Sequence, residues 1–327
     1  MRGRRPPFTG RWWLWILILL CTSCTEPSPT LRIGTIPWPG YEYLYLAGEL
    51  GYFAAEGVAV QLVDFVSLSD SRRAFERGQL DAWATTAVEL LQSREVSPRK
   101  AQAFFILDIS YGADIVLVRA PLQTVGELAG KRVAAEPGTL DVVMLYFALQ
   151  AAGLDFDDIT LVPLPQYLLP KSIARNEVDA AVTYPPNSIA LLRSGNYHPV
   201  FDSSQIPGVI VDVLAADARL LTSRRRDFVA VVRAVDKAAA YAKAHSAEAL
   251  AIMARHEGVD AQAMAAALGG ISTLPLGEQP AYFEPGGKME QAFRAVAEAL
   301  RATHMLQAQQ EISTAYTPQI VGETANR

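Results

Sequence analysis

Two stretches about a hundred residues apart carry the same order of signals, and this repeat limits the folds open to the chain. The first runs from Arg32-Ile33-Gly34 through a loop and a helix-like stretch to Gly51. It continues with Val60-Gln61-Leu62-Val63, a second helix, and Gly78-Gln79-Leu80-Asp81-Ala82-Trp83-Ala84-Thr85-Thr86. The second runs from Arg132-Val133-Ala134 to Gly153, then Ile159-Thr160-Leu161-Val162, and ends in Asn176-Glu177-Val178-Asp179-Ala180-Ala181-Val182-Thr183-Tyr184. Short β-branched runs alternating with helical segments read as βαβ crossovers, so each copy predicts a mostly parallel sheet flanked by helices. The fold class is α/β, in two lobes. Ligands of open α/β sheets lie beyond the carboxyl ends of the strands. There the copies place Pro37 to Tyr41 and Glu136 to Asp141, and the cleft between the lobes is the expected ligand site.

At 327 residues, half of them hydrophobic, the chain is long enough for two cores without disulfides. The net charge is −5, but Arg2, Arg4, Arg5 and Arg11 are the only charges in the first 23 residues. The rest of the chain carries 25 basic and 34 acidic residues, a net of −9. An acidic body of this kind excludes nonspecific nucleic-acid binding, which needs a basic stripe to displace counterions.

Residues 1–23 read as a signal peptide: the arginines precede the apolar run Trp12 to Leu20, too short to span a bilayer but suited to a secretory core. Cys21-Thr22-Ser23-Cys24 comes next and resembles a bacterial lipobox, with Cys24 as the lipid acceptor and Cys21 where leucine is usual. These two cysteines are the only ones, so after cleavage the body has no disulfide, no thiol nucleophile and no cysteine-based zinc site. Residues 24–30 form a polar, proline-bearing tether. The expected location is periplasmic or on the cell surface, lipid-anchored to a bacterial membrane.

Ala113 to Val118 and Val209 to Ala215 read as the strands that connect the lobes. Lobe one is then 31–112 with 211–327, and lobe two 113–210. Arg226 to His245, Ala247 to His256, Ala261 to Leu268 and Lys288 to Thr303 carry helical patterns. Nothing after Ala315 offers a structural signal.

The segments LRIGTIPWPGYEYLYLAGELGYFAAEGVAVQLVDF, GQLDAWATTAVELL and LQTVGELAGKRVAAEPGT resemble the substrate-binding proteins of ABC importers of the nitrate, sulfonate, taurine and thiamine-pyrimidine type. The resemblance covers residues 31 to about 300. It implies a periplasmic-binding-protein fold of two lobes on a hinge, closing on a small molecule and delivering it to a membrane permease. A sensor signalling to a membrane kinase or cyclase would use the same closing lobes. Fungal pyrimidine synthases of the same fold depend on a cysteine-rich motif and an active-site histidine, and the mature chain lacks such cysteines. No nucleophile elbow, phosphate loop or clustered metal ligands are visible, so neither catalysis, a metal nor a cofactor is expected. His198, His245, His256 and His304 read as solvated residues.

Candidate ligand residues come from the strand ends. Trp38, Tyr41 and Glu42 follow the first strand, where the rings either stack on a ligand or seal the lobe. Ser67 and Ser69 follow the second strand as donors or helix caps. Thr85, Thr86 and Glu89 follow the third, with Trp83 inside it as core. The second lobe and hinge add Ser110, Tyr111, Asp114, Glu136, Gly138, Thr139, Tyr184 and Asp212, the two aspartates either contacting ligand or fastening the hinge. No arginine or lysine occurs in these loops. Carboxylates among aromatic faces suit an amine or zwitterion, with sulfonates and pyrimidines as other possibilities, rather than a plain oxyanion. The expected partners are that small molecule and an ABC permease, and a monomer is expected.

Overall fold

The computed structural model describes residues 29–325 and Gly3, so the early arginines, the apolar run and Cys24 lie outside the described residues. Among the described residues no helix is long and apolar enough to cross a membrane.

The repeat appears as two matching three-strand units. In the first, β1 (Leu31–Thr35) lies between β2 (Val60–Asp64) and β3 (Ala82–Thr86), all parallel, with Leu31 opposite Val60 and Ile33 opposite Ala82. After β4 (Ala101–Ser110) and β5 (Ile115–Arg119) comes the second unit. There β6 (Arg132–Ala135) lies between β7 (Thr160–Pro163) and β8 (Ala180–Thr183), with Arg132 opposite Thr160 and Val133 opposite Ala180. The echo extends to one ion pair. Arg32 holds Asp81 through its backbone N–H at 2.9 Å and Nη2 at 3.1 Å, and Arg132 holds Asp179 in the same way at 3.0 and 2.9 Å. Each fork ties the start of the middle strand to the turn entering the third.

Both sheets are mixed. With β9 (Tyr197–Asp202), β10 (Val211–Asp217) and β11 (Ile271–Ser272), the orders are β11-β4-β10-β3-β1-β2 and β7-β6-β8-β5-β9. The strands added to each parallel trio run antiparallel to their neighbours. The chain leaves the first sheet between Ser110 and Ile115 and returns to it between Asp202 and Val211. These crossings are turns, not continuous strands. They are tied where they meet: Ser110 and Ser203 hydroxyls share a 2.7 Å hydrogen bond, and Gly112 N–H donates to Ser203 Oγ at 2.6 Å. Gly112 sits at φ 107°, which a side chain would strain.

The late helices, Arg225–Ala244, Ser246–Glu257, Ala261–Leu268 and Lys288–Ala302, start and stop within about two residues of their sequence signals. The first buries Phe228, Val231, Val232 and Val235, a stripe at helical spacing. Trp83 is fully buried against Phe75, ring centroids 3.8 Å apart. The carboxyl end departs from the sequence reading. Tyr316 bridges Ala103, with hydrogen bonds from Ala103 N–H to Ala315 O and from Thr317 N–H to Ala103 O, and Gln319–Ala325 is a helix burying Ile320 and Val321. Seven residues are too few for a periodic signal, and a helix this short is held by packing rather than by its own propensity.

Candidate functional site

Strand β10 organises the site. Asp212 stands directly opposite Asp108 on β4 and Thr86 on β3, so the three side chains share one face. Asp108 and Asp212 are two like charges in register on one face, an arrangement that costs stability unless something compensates. The loop after β1 supplies two donors. Trp38 Nε1–H donates to Asp108 Oδ2 at 3.1 Å, and Tyr41 O–H to Asp212 Oδ1 at 2.5 Å. Gly40 makes the approach possible, since a Cβ there would stand 1.7 Å from Asp108 Oδ2. The compensation is partial: Asp108 Oδ1 and Asp212 Oδ2 are buried with no hydrogen-bond partner.

From the second sheet come Asp114, at the crossing, and Tyr184, after β8. Neither Asp114 oxygen has a hydrogen bond of normal geometry, though the Ser110 hydroxyl is near. Tyr184 meets Trp38 edge to face at 5.8 Å. Ile36, Trp38, Tyr41, Leu68, Asp114, Leu140, Tyr184 and Asp212 enclose a small cavity with room for about one water-sized sphere. Among the described residues no basic side chain lines it. A larger hollow beside the helices Arg225–Ala244 and Ser246–Glu257 is chiefly apolar and gathers none of the strand-end residues.

Burial dominates the electrostatics. It pushes Asp114 up to about 7, with Glu89 adding to the rise and Ser110 opposing it. It pushes Asp108 up to about 8, against the Trp38 hydrogen bond and with Asp114 adding. Asp212 is raised well above the usual carboxylate range by burial and then by Asp108. These groups favour the neutral acid until a cation arrives.

Trp38, Tyr41, Asp114, Tyr184 and Asp212 are thus brought together around one cavity. The other candidates fasten the cleft walls. Ser67 caps the helix Leu68–Glu76, accepting from Asp70 N–H at 3.2 Å. Thr85 and Thr86 donate to Glu89 at 3.4 and 2.5 Å, and Thr139 caps the helix Leu140–Ala151. Glu136 accepts from Ser69 Oγ at 2.5 Å, across the cleft. Tyr111 is 57% exposed and lines nothing in the cavity. Glu42 points to His256 at 2.8 Å. His256 is exposed, as expected, and stacks one face on Tyr45.

Asp108 escaped the sequence reading. Its signal was there: it is an acid inside the apolar run Phe104-Phe105-Ile106-Leu107-Asp108-Ile109, where a buried strand has no use for one. Gln166 escaped as well. It is buried, bonding Asp141 Oδ2 at 2.6 Å and accepting from Thr183 Oγ1 at 2.9 Å, and a single loop glutamine carries no sequence signal for such a role.

A family model described as NMT1/THI5 like matches residues 38–249, more than half of the chain. The chain belongs to the NMT1/THI5-like family. Among curated proteins this NMT1/THI5-like chain is similar to the putative aliphatic sulfonates-binding protein of Escherichia coli K12, 27% identical over 260 residues, covering 74% of this chain and 76% of the relative. Its fold matches the alkanesulfonate-binding protein SsuA of Xanthomonas axonopodis pv. citri bound to MOPS. That match has a TM-score of 0.75 at 20% identity, covering 88% of this chain and 98% of the other. It also matches the nitrate-binding protein NrtA of Synechocystis PCC 6803, TM-score 0.72 at 12% identity, covering 91% and 88%. The architecture is the periplasmic-binding-protein fold. The relatives named here are binding proteins, while the desulfurization enzyme DSZB shares the fold, with a TM-score of 0.67 at 18% identity, covering 91% of this chain and 99% of the other.

Proposed function

We propose that this chain is the extracytoplasmic receptor of an ABC importer, capturing a small amine-bearing molecule in the cleft and handing it to a permease. In this reading residues 31–112 and 211–327 form one closing lobe and 113–210 the other. Cys24 carries the lipid that holds both at the membrane.

The observation that carries the ligand class is Asp114, buried on the cavity wall with both carboxylate oxygens unpartnered, beside Asp108 and Asp212. An ammonium group supplies three donors and a positive charge to such a set, and the faces of Trp38, Tyr41 and Tyr184 add cation–π attraction of about 0.5 to 2 kcal/mol per ring. A plain oxyanion brings no positive charge to offset the cost of ionising the same groups. Relatives named for sulfonates support a sulfur-acid class, and the aspartates favour the member that also bears an amine.

The test is a matched pair of probes, 2-aminoethanesulfonate and ethanesulfonate, titrated calorimetrically into the protein. The amine-bearing compound is expected to bind and its analogue to bind at least about tenfold more weakly, with Asp114→Asn lowering amine affinity by about 1 to 3 kcal/mol. Equal affinity for the two probes, or a preference for ethanesulfonate, removes the cationic pocket. For the anchor, fatty-acid labelling in a bacterial host is expected for the native chain and lost in Cys24→Ser; labelling retained in that variant excludes Cys24.

A further inference from the structure

One polar cluster has no part in the cavity. Glu42 opens the helix Glu42–Glu49, while His256 and Glu257 close the helix Ser246–Glu257. Glu42 is 1% exposed and Glu257 8%. One Glu42 oxygen meets His256 Nδ1 at 2.8 Å. The other Glu42 oxygen and both Glu257 oxygens are buried without a hydrogen bond of normal geometry. One ligand atom from each of the three residues lies within 4.8 Å of the others. Tyr45 stacks on the His256 ring with centroids 3.3 Å apart, which fixes the imidazole in this orientation.

Two carboxylates aimed at one buried point, with three of their four oxygens lacking a hydrogen bond of normal geometry, call for a cation. The donor set says which kind. An imidazole nitrogen with two carboxylate oxygens suits a divalent first-row metal, zinc foremost, at about 2.0 to 2.2 Å, a spacing that small side-chain rotations reach from here. Calcium and magnesium sites are built from oxygens alone. Three protein ligands leave a fourth position for water, and the His256 side chain, 32% exposed, leaves a path for the ion. We propose that Glu42, His256 and Glu257 bind one divalent transition-metal ion. The placement gives it a structural effect. Glu42 follows Tyr41 in the chain, and Glu257 lies beside the Trp38 backbone, so an ion would pin the loop that walls the cavity to the helix Ser246–Glu257. The sequence hid the site because Glu42 and His256 are 214 positions apart.

Tag-free protein stripped with a chelator and dialysed would be titrated calorimetrically with zinc chloride, with cobalt(II) absorption reporting the coordination geometry. One equivalent of zinc is expected, with a rise in melting temperature and tetrahedral-type cobalt bands. Glu257→Gln and His256→Asn are each expected to weaken zinc binding by more than about tenfold, the loss typical even of outer-shell partners. His256 is the more exposed of the ligands, so its variant carries the test if Glu257→Gln fails to fold. Absence of zinc binding to the native protein overturns the site and means that the glutamates share a proton. Zinc binding that persists in the folded variants overturns it too, by moving the metal elsewhere.

Discussion

Asp114 is a carboxyl in a place that suits its neutral form, and the consequence is a dependence of stability on pH. Its value of about 7 in the folded protein stands above the roughly 3.9 of an exposed aspartate. The folded state therefore keeps a proton that the unfolded chain releases. The stabilisation is full below about pH 4, declines as pH rises, and is gone once pH passes the folded value near 7; Asp108, at about 8, extends the window upward. Asp114→Asn removes that dependence. Unliganded, this variant is expected to gain stability over the native protein in urea denaturation, by about 2 kcal/mol more at pH 8 than at pH 5.5, because the buried carboxyl must ionise between those values. An equal change at both pH values would mean that Asp114 is not the titrating group. The strand-end rule found Trp38, Tyr41 and Tyr184, and the two connecting strands supplied Asp114 and Asp212. Asp108 is marked in the sequence only as an acid in an apolar run, and its role follows from β10 placing it opposite Asp212.

At the scale of elements, the decisive join is made by one side chain. Glu89 completes a capping box with Thr86 at the start of the helix Ala87–Val96, and its other oxygen accepts from Leu140 N–H at 2.9 Å, at the start of the helix Leu140–Ala151. A helix amino terminus attracts an anion. Here the protein supplies its own, reaching from one sheet's layer to the other's. Burial raises the Glu89 pKa while the hydrogen bonds from Thr86 and Leu140 pull it back. Glu89→Gln keeps the shape but turns an acceptor into a donor facing N–H groups, and a loss of about 1 to 2 kcal/mol is expected in urea denaturation. An unchanged midpoint would show that water replaces the contact. The elements themselves were legible where local pattern suffices: the repeated trios, and helices such as Arg225–Ala244 with a long apolar stripe. Illegible were the contacts that depend on two elements meeting, namely Glu89 with Leu140 and Glu42 with His256, and the final helix, whose order comes from its neighbours.

The whole molecule is described with its cleft shut, and few polar contacts hold it so. Ser69 to Glu136, Glu89 to Leu140 and the exposed Arg193–Asp260 pair at 2.8 Å bridge the two sides, with Trp38 against Tyr184 between them. Two chain crossings tied by Ser110 and Ser203 join the sheets and would serve as the hinge of the proposed receptor. Opening about that hinge admits water to Asp108, Asp114 and Asp212 and removes the cost of ionising them. Without ligand, closure is therefore favoured at low pH, where these groups are neutral, and opposed above pH 8, where they must ionise. An ammonium ligand reverses the balance by neutralising them in place. Small-angle scattering should then give a larger radius of gyration for the unliganded protein at pH 8 than at pH 5.5, and 2-aminoethanesulfonate at pH 8 should restore the smaller value. Closure at pH 8 without ligand would show that the polar bridges outweigh the buried aspartates. An opening with pH that ligand does not reverse would detach the hinge from the proposed amine pocket, because the same carboxylates are held responsible for both.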